Sequence, residues 1–549
     1  MSFLSLGFAV FFAAALILYY TLPKKTQPYL LLAASIVFYL FSGPKYIIYL
    51  LASTAVTYLC AIAAGRTASD FAARAPELKK TLPREDYKKA SKKAEARGKL
   101  FVALALTVDL GILIAVKYLD FIISNAVSLF GGSFPGLGLV LPLGLSYYTF
   151  AAVGYIVDVS RGKYPPEKNP FRFALYMTYF PQMLQGPIPR FDVTGPRLAA
   201  EHEFDRESFA DGLRLILWGC FKMLVIAAAA APAVSYITEN VLVASNAYEV
   251  INTPGSGYAG FHEIGGAQLW IGMTAWGIQL YTNFSGGIDI AEGISECFGI
   301  KMAENFRRPY FATDLTDYWN RWHISLSEWL KDYVFYPMAL SPGFAKFSKF
   351  LKKKFGKFIA RTLPVSLLSL ILFTLVGIWH GANWGEILFG VFNGVIIMVS
   401  TLCEPLFVKI RKPLKMDSLL VWRIFRSVRT FILITLTRVI SRAPSVGYAM
   451  QYYRKMFSSM RFDLLSAQIE KEGGLGKIAL SCLPLLIGLA ALFTVSLIQE
   501  RSEGHSVRAL LKGRAVLRVA LEVLCLAAVA VFGVYGLGYD ASGFIYTQY

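Results

Sequence analysis

Stretches of about 20 apolar residues recur from one end of this chain to the other. A helix rising 1.5 Å per residue needs roughly that many to cross a hydrocarbon layer about 30 Å thick. FLSLGFAVFFAAALILYYTL (3–22) is the first such run. Others fall near 28–42, 44–65, 100–126, 138–160, 209–236, 266–298, 362–382, 385–408, 419–440, 476–498 and 515–537. Residues 172–189 form a shorter, proline-interrupted segment. With 55% hydrophobic residues and a mean hydropathy of +0.49, the chain reads as an all-α polytopic membrane protein. No internal repeat, low-complexity tract or second soluble domain interrupts that reading. The first run lacks a basic segment before it, and Lys24 and Lys25 follow it. It is therefore expected to stay as a helix with its N-terminus outside.

The net charge of +19 raises the question of nucleic acid, but no folded basic domain gathers it. The Lys and Arg residues sit between apolar runs, as in cytoplasmic loops that meet anionic lipid, so no nucleic-acid partner is expected. Residues 66–99 carry eleven basic residues against five acids and read as a cytoplasmic helical hairpin broken at Pro83. Residues 346–361 carry seven basic residues. Further basic clusters at 409–415 and 501–518 belong on the same inner side, and the polar loop 237–265 belongs outside. The outer loop 441–475 runs against this bias. The six cysteines are scattered through apolar segments without metal-like spacing, so no metal is expected.

Against this background, TDLTDYWNRWHISLSEWLKDYVFYP (313–337) stands out. Trp319, Trp322, Leu326, Trp329, Leu330 and Tyr333 recur at helical spacing, which predicts one amphipathic helix containing His323. Its charges bar it from crossing the bilayer unaided. Asp317, Asn320 and Arg321 are candidates to hold it to its neighbours. A second histidine, His380, ends the apolar run LPVSLLSLILFTLVGIWHGANW. A neutral imidazole in low dielectric is a candidate general base for a hydroxyl attacking an acyl group. Gly377, Gly381 and Gly385 flank it, and Asn383 is placed to supply a hydrogen bond. Histidines 202, 262 and 505 read as solvated loop residues. YTNFSGGIDIAEG (281–293) sets Asn283, Ser285 and Asp289 at membrane depth, where Asp289 is costly unless paired. YFPQMLQGPIPR (179–190), with Gln185, is irregular at the same depth, as backbone lining a cavity is. No phosphate-binding glycine loop, GxSxG elbow, HExxH or CxxC motif occurs.

These stretches together resemble the membrane-bound O-acyltransferase (MBOAT) family, and in particular its alginate O-acetyltransferase-like bacterial branch. The likeness runs through LPLGLSYYTFAAVGYIVDVSRGK (141–163), YFPQMLQGPIPRF (179–191), residues 281–338 and LVGIWHGANWGEILFGVFNG (375–394). The C-terminal RVISRAPSVGYAMQYYRKMF (438–457) is similar to a segment of that branch. Two departures are visible: Asn283 stands where the branch usually has an acid, and Gly287 where it usually has an aromatic residue.

The resemblance implies a single domain over 1–549, a ring of about 11–13 transmembrane helices plus re-entrant or interfacial helices around a tunnel. Its catalytic core would span 281–394, with C-terminal helices over 415–549. It implies His380 as the catalytic histidine and His323 as a second one in the tunnel. Asn283, Ser285, Asp289, Gln185, Asp317, Asn320, Arg321, Trp322, Trp379 and Asn383 are the candidate substrate or tunnel residues. The implied reaction moves an acyl group, acetyl above all, from a cytoplasmic thioester such as acetyl-CoA to a hydroxyl of an extracytoplasmic protein or glycan. No bound cofactor is implied, and the implied location is a bacterial cytoplasmic membrane. D-alanyl transfer from an acyl carrier protein to teichoic acid is the alternative within the class. A secondary transporter is the alternative outside it, although transporters usually show the internal repeat that is missing here.

Overall fold

The computed structural model describes residues 2–237, 264–443, 445–502 and 513–535. Residues 238–263 with His262, and 503–512 with His505, lie outside the described residues. Helix makes up 82% of the structure, and no strand occurs among the described residues. Seven described helices are long and apolar enough to cross a membrane: Pro44–Thr81, Arg84–Ser128, Arg206–Tyr236, Pro342–His380, Trp384–Arg411, Gly474–Arg501 and Ala515–Phe532. The chain is an all-α multi-pass membrane protein.

The other expected spans are also helical, with particular differences. Leu6–Thr21, Gln27–Ser42 and Leu145–Ser160 have 16 residues each. That is about 24 Å of helix, short of the hydrocarbon thickness. In the expected 138–160 span, Pro142 and the left-handed Gly138 and Gly144 delay the start of the helix to Leu145. Leu420–Arg442 is long enough but carries Arg423, Arg426, Arg429, Arg438 and Arg442. The segment 172–189 becomes two short helices, Pro170–Thr178 and Phe180–Gln185, followed by extended backbone.

Packing separates the chain into two units: Met1–Leu213 with Ala291–Ala303, and Arg214–Ile290 with Glu304–Tyr549. In the first unit the long helices Ile47–Thr81 and Arg84–Leu113 pack against each other and against Leu145–Ser160. Their junction falls where the sequence analysis put it. Pro83 holds Leu82 extended, Lys79 and Lys80 sit in the last turn of one helix, and Glu85 and Asp86 in the first turn of the next. Deeper in, Asp109 is buried and accepts hydrogen bonds from Ser53 Oγ at 2.6 Å and Thr57 Oγ1 at 2.8 Å. Phe8, Phe38, Phe180 and Phe298 form an aromatic cluster at its core.

In the second unit, Pro342–His380 and Trp384–Arg411 lie side by side. Gly377 and Gly390 let their backbones touch, because a Cβ on Gly390 would collide with the Phe373 carbonyl. Gly356 is left-handed at φ 82° and separates a basic arm, with Lys352, Lys353 and Lys354, from the spanning part of its helix. Gly474–Arg501 and Ala515–Phe532 leave Leu480, Phe493, Val516 and Leu524 open, as lipid-facing helices do.

Candidate active site

The stretch 313–337 is not one helix. It runs as Leu315–Arg321, then Ile324–Leu330, then a wider π-type turn over Lys331–Phe335. His323 sits at the break with φ 48° and ψ 55°. The reason lies 18 residues earlier in the chain. The Asn305 carbonyl accepts from Ile324 N–H at 3.0 Å, the Arg321 carbonyl accepts from Arg307 N–H at 2.9 Å, and Phe306 and Trp322 form an isolated antiparallel bridge. Asn305 Oδ1 then accepts from Ser325 N–H at 3.1 Å, Ser325 Oγ at 2.8 Å and His323 Nδ1 at 3.2 Å. The expected continuous helix therefore gives way to a tertiary backbone pairing that periodicity does not register.

Because a fixed backbone N–H identifies the Asn305 atom as the oxygen, His323 must carry its proton on Nδ1. Nε2 is left as a lone pair, buried and without a hydrogen-bond partner among the described residues. The ring is 1% exposed. Burial, and then the electrostatic influence of the neighbouring His380, hold its pKa well below the usual histidine value.

His380 is the last residue of its helix and is 9% exposed. The two histidines share a neighbour: the Trp379 ring lies 5.6 Å from His323 and 5.0 Å from His380. The Phe284 ring also stands edge-on to His323 at 5.1 Å.

Beside His380 lies a cavity of about 40 Å³. That exceeds the roughly 10–15 Å³ a single water needs. Its apolar walls include Trp319, Trp322 and Phe389, and its polar walls are His380, Glu386, Arg438 and Ser441. Glu386 is 4% exposed and accepts from Ser441 Oγ at 2.8 Å. Arg438 is 3% exposed and lies over the Trp322 ring at 5.0 Å. It donates through Nη2 to Tyr318 Oη at 2.7 Å and through Nη1 to Tyr310 Oη at 3.3 Å.

The remaining candidates divide by position. Trp322 lines the cavity, and Trp379 touches both imidazoles. Asn383 caps the next helix, its Oδ1 accepting from Glu386 N–H at 2.9 Å, which is local work rather than a bond to His380. Asp317 and Arg321 do hold the segment: Arg321 Nε donates to Asp317 at 2.7 Å and Nη1 to Glu500 at 3.0 Å. Glu500 also accepts from Arg308 at 2.8 Å and Arg423 at 2.7 Å. Asn320 accepts from Lys331 Nζ at 2.8 Å on an exposed surface. Asp289 is paired as its depth demands, with Lys222 Nζ at 2.6 Å, and that ammonium also donates to Ser285 Oγ at 3.0 Å. The Asn283 oxygen is buried without a partner among the described residues. Gln185 belongs to the first unit, and both its amide atoms are buried and unpartnered among the described residues. His202 is not simply solvated, since its Nε2 pairs with the Arg197 carbonyl at 2.8 Å.

Lys222, Asn305, Glu386, Arg438, Ser441 and Glu500 were not singled out by sequence. Only Lys222 left a signal, as a single charge inside an apolar run.

Several known proteins are similar to this chain. A probable alginate O-acetylase of Azotobacter vinelandii is 31% identical over 364 residues, 65% of this chain and 63% of its own length. A peptidoglycan O-acetyltransferase of Helicobacter pylori is 26% identical over 452 residues, 78% of this chain and 73% of its own. A teichoic acid D-alanyltransferase of Bacillus subtilis is 29% identical over 267 residues, 48% of this chain and 60% of its own. The chain thus spans a little under two thirds of the length of the alginate O-acetylases it matches. The family model for membrane-bound O-acyltransferases matches residues 161–441, a range that contains both histidines and the whole lining of the cavity. The chain belongs to the membrane-bound O-acyltransferase family.

Proposed function

We propose that this protein is an integral membrane O-acyltransferase in a bacterial cytoplasmic membrane, with its N-terminus outside. It takes an acyl group, acetyl in the first instance, from a thioester on the cytoplasmic side, with acetyl-CoA as donor. It delivers that group through a tunnel to a hydroxyl on an extracytoplasmic protein or cell-surface glycan. His380 accepts the hydroxyl proton, and His323 lines the acyl path with its unprotonated Nε2. The observation that carries this reading is the placement of His380, buried at the end of an apolar spanning helix and facing a cavity with polar walls. A neutral imidazole in such a place can take a proton without first shedding water. Exclusion of water also protects the thioester from hydrolysis. Lipid contact and attraction of donor phosphates are both served by the exposed basic segments 66–99 and 346–361.

Transfer of D-alanine from a carrier protein is the second reading, favoured by the resemblance to the teichoic acid D-alanyltransferase of B. subtilis. Purified protein in liposomes, supplied with membranes and either labelled acetyl-CoA or a charged carrier protein, separates the two. The expected outcome is label transfer from acetyl-CoA, lost in His380→Ala. Transfer from the carrier alone would favour the second reading. A His380→Ala variant with full activity would remove the catalytic assignment.

A further inference from the structure

The cavity beside His380 holds more charge than a lone general base requires. A guanidinium and a carboxylate, each at least nine-tenths buried, line the same few tens of cubic ångströms as the imidazole. Arg438 comes from Leu420–Arg442, Glu386 from the first turn of Trp384–Arg411 and His380 from the end of the helix before it. Three helices each deliver one ionisable group to the same cavity. Arg438 is the only Lys or Arg among the lining residues described. It is held in a fixed attitude by the Trp322 face and by hydrogen bonds to the hydroxyls of Tyr318 and Tyr310.

We infer that Arg438 is a second catalytic residue, the donor that holds the oxyanion formed during acyl transfer. The inference rests on the acyltransferase reading given above. In that step the acceptor hydroxyl oxygen bonds to the thioester carbonyl carbon and its proton passes to His380. The carbonyl π pair moves onto oxygen, where the Arg438 N–H groups meet it. Collapse restores the C=O bond and breaks the C–S bond. The departing thiolate takes the proton back from His380, so that ester and thiol leave and the enzyme is unchanged. The intermediate pairs a positive imidazolium with a negative oxygen. The cavity offers the complementary charges: Arg438 for the oxygen and Glu386 for the imidazolium. Preorganised donors in a water-poor site are worth more than the same groups in water. Together, Glu386 and Arg438 also leave the resting cavity without a net uncompensated charge from these two groups.

A purely structural role, tying Leu420–Arg442 to Tyr318 and Tyr310, is the competing account, and kinetics separate it. Full-length Arg438→Ala in liposomes is assayed with labelled acetyl-CoA, alongside wild type, with and without millimolar guanidinium ion. The expected result is a fall in kcat of about 10²–10³-fold. KM for acetyl-CoA should stay within about threefold, and guanidinium should restore kcat at least tenfold, which a merely structural loss would not do. Should Arg438→Ala fail to elute as a folded protein, Arg438→Gln takes its place with the same criteria. A folded variant with kcat within threefold of wild type overturns the inference, as does a loss that guanidinium leaves untouched. Wild type that moves acetyl from no thioester defeats the acyltransferase reading itself. Active wild type beside an active Arg438 variant defeats only this inference.

Discussion

His323 and His380 flank the same indole, yet the chain treats them differently. His323 is built into a turn, with its backbone left-handed, its Nδ1 engaged by Asn305 and its following helix anchored to the same amide oxygen. His380 closes a regular helix and faces a cavity walled by Glu386, Arg438 and Ser441. His323 is anchored by a hydrogen bond to Asn305, and His380 lines a cavity. Burial alone therefore does not mark the imidazole beside the cavity, because His323 is the more deeply buried of the two.

The largest expected effect separates them by activity. His380→Ala should lower acyl transfer by at least about 10²-fold, the usual contribution of a positioned general base. Its melting temperature in detergent should stay close to wild type. His323→Gly, which keeps the left-handed backbone without strain, should retain measurable transfer. Equal losses in the two variants would erase the distinction.

Next in size are the buried ion pair and the turn. Lys222→Met removes the ammonium beside the Asp289 carboxylate at membrane depth and should cost about 3–5 kcal/mol of stability. Lys222→Met with Asp289→Leu should recover part of that loss. Thermal unfolding of single and double variants reads the coupling, and equal stabilities would show that the 2.6 Å contact contributes little. Asn305→Ala removes three hydrogen bonds from the His323 turn, at about 1 kcal/mol each. It should lower both stability and activity, unlike His380→Ala. Unchanged stability in Asn305→Ala would mean that the turn forms without its anchor.

The smallest effect concerns pH. His323 has its folded pKa depressed, by burial first and by His380 second. Its stabilising contribution is therefore present above the unfolded value of about 6.5 and is lost as pH falls from there towards the folded value. Between about pH 7 and pH 5, His323→Gln should lose less stability than wild type. Parallel unfolding curves across that window would show that His323 is protonated in the fold as readily as outside it.

Much of this architecture was legible from the chain. Pro83 between two basic stretches fixed the junction of Ile47–Thr81 and Arg84–Leu113, because proline holds the preceding residue extended. The apolar run ending in His380, followed by Gly381 and the cap Asn383, marked the end of one helix and the start of the next. Asp289 demanded a partner at its depth. The break at His323 was hidden, since the tryptophan and leucine spacing on both sides fits one helix, and the cause is the amide of Asn305 far back in the sequence. Glu386, Arg438 and Ser441 carry no shared motif. Two of them lie on the helix after the one that holds Glu386, and only folding brings them to one cavity.

The most direct test of His380 as the reacting imidazole, with His323 in a supporting position, is a side-by-side assay of full-length wild type, His380→Ala and His323→Gly in liposomes. Each receives labelled acetyl-CoA and membranes, and the label bound through ester linkages is counted. Background counts for His380→Ala with clear residual transfer for His323→Gly are expected. Transfer by folded His380→Ala at the wild-type rate would contradict the account.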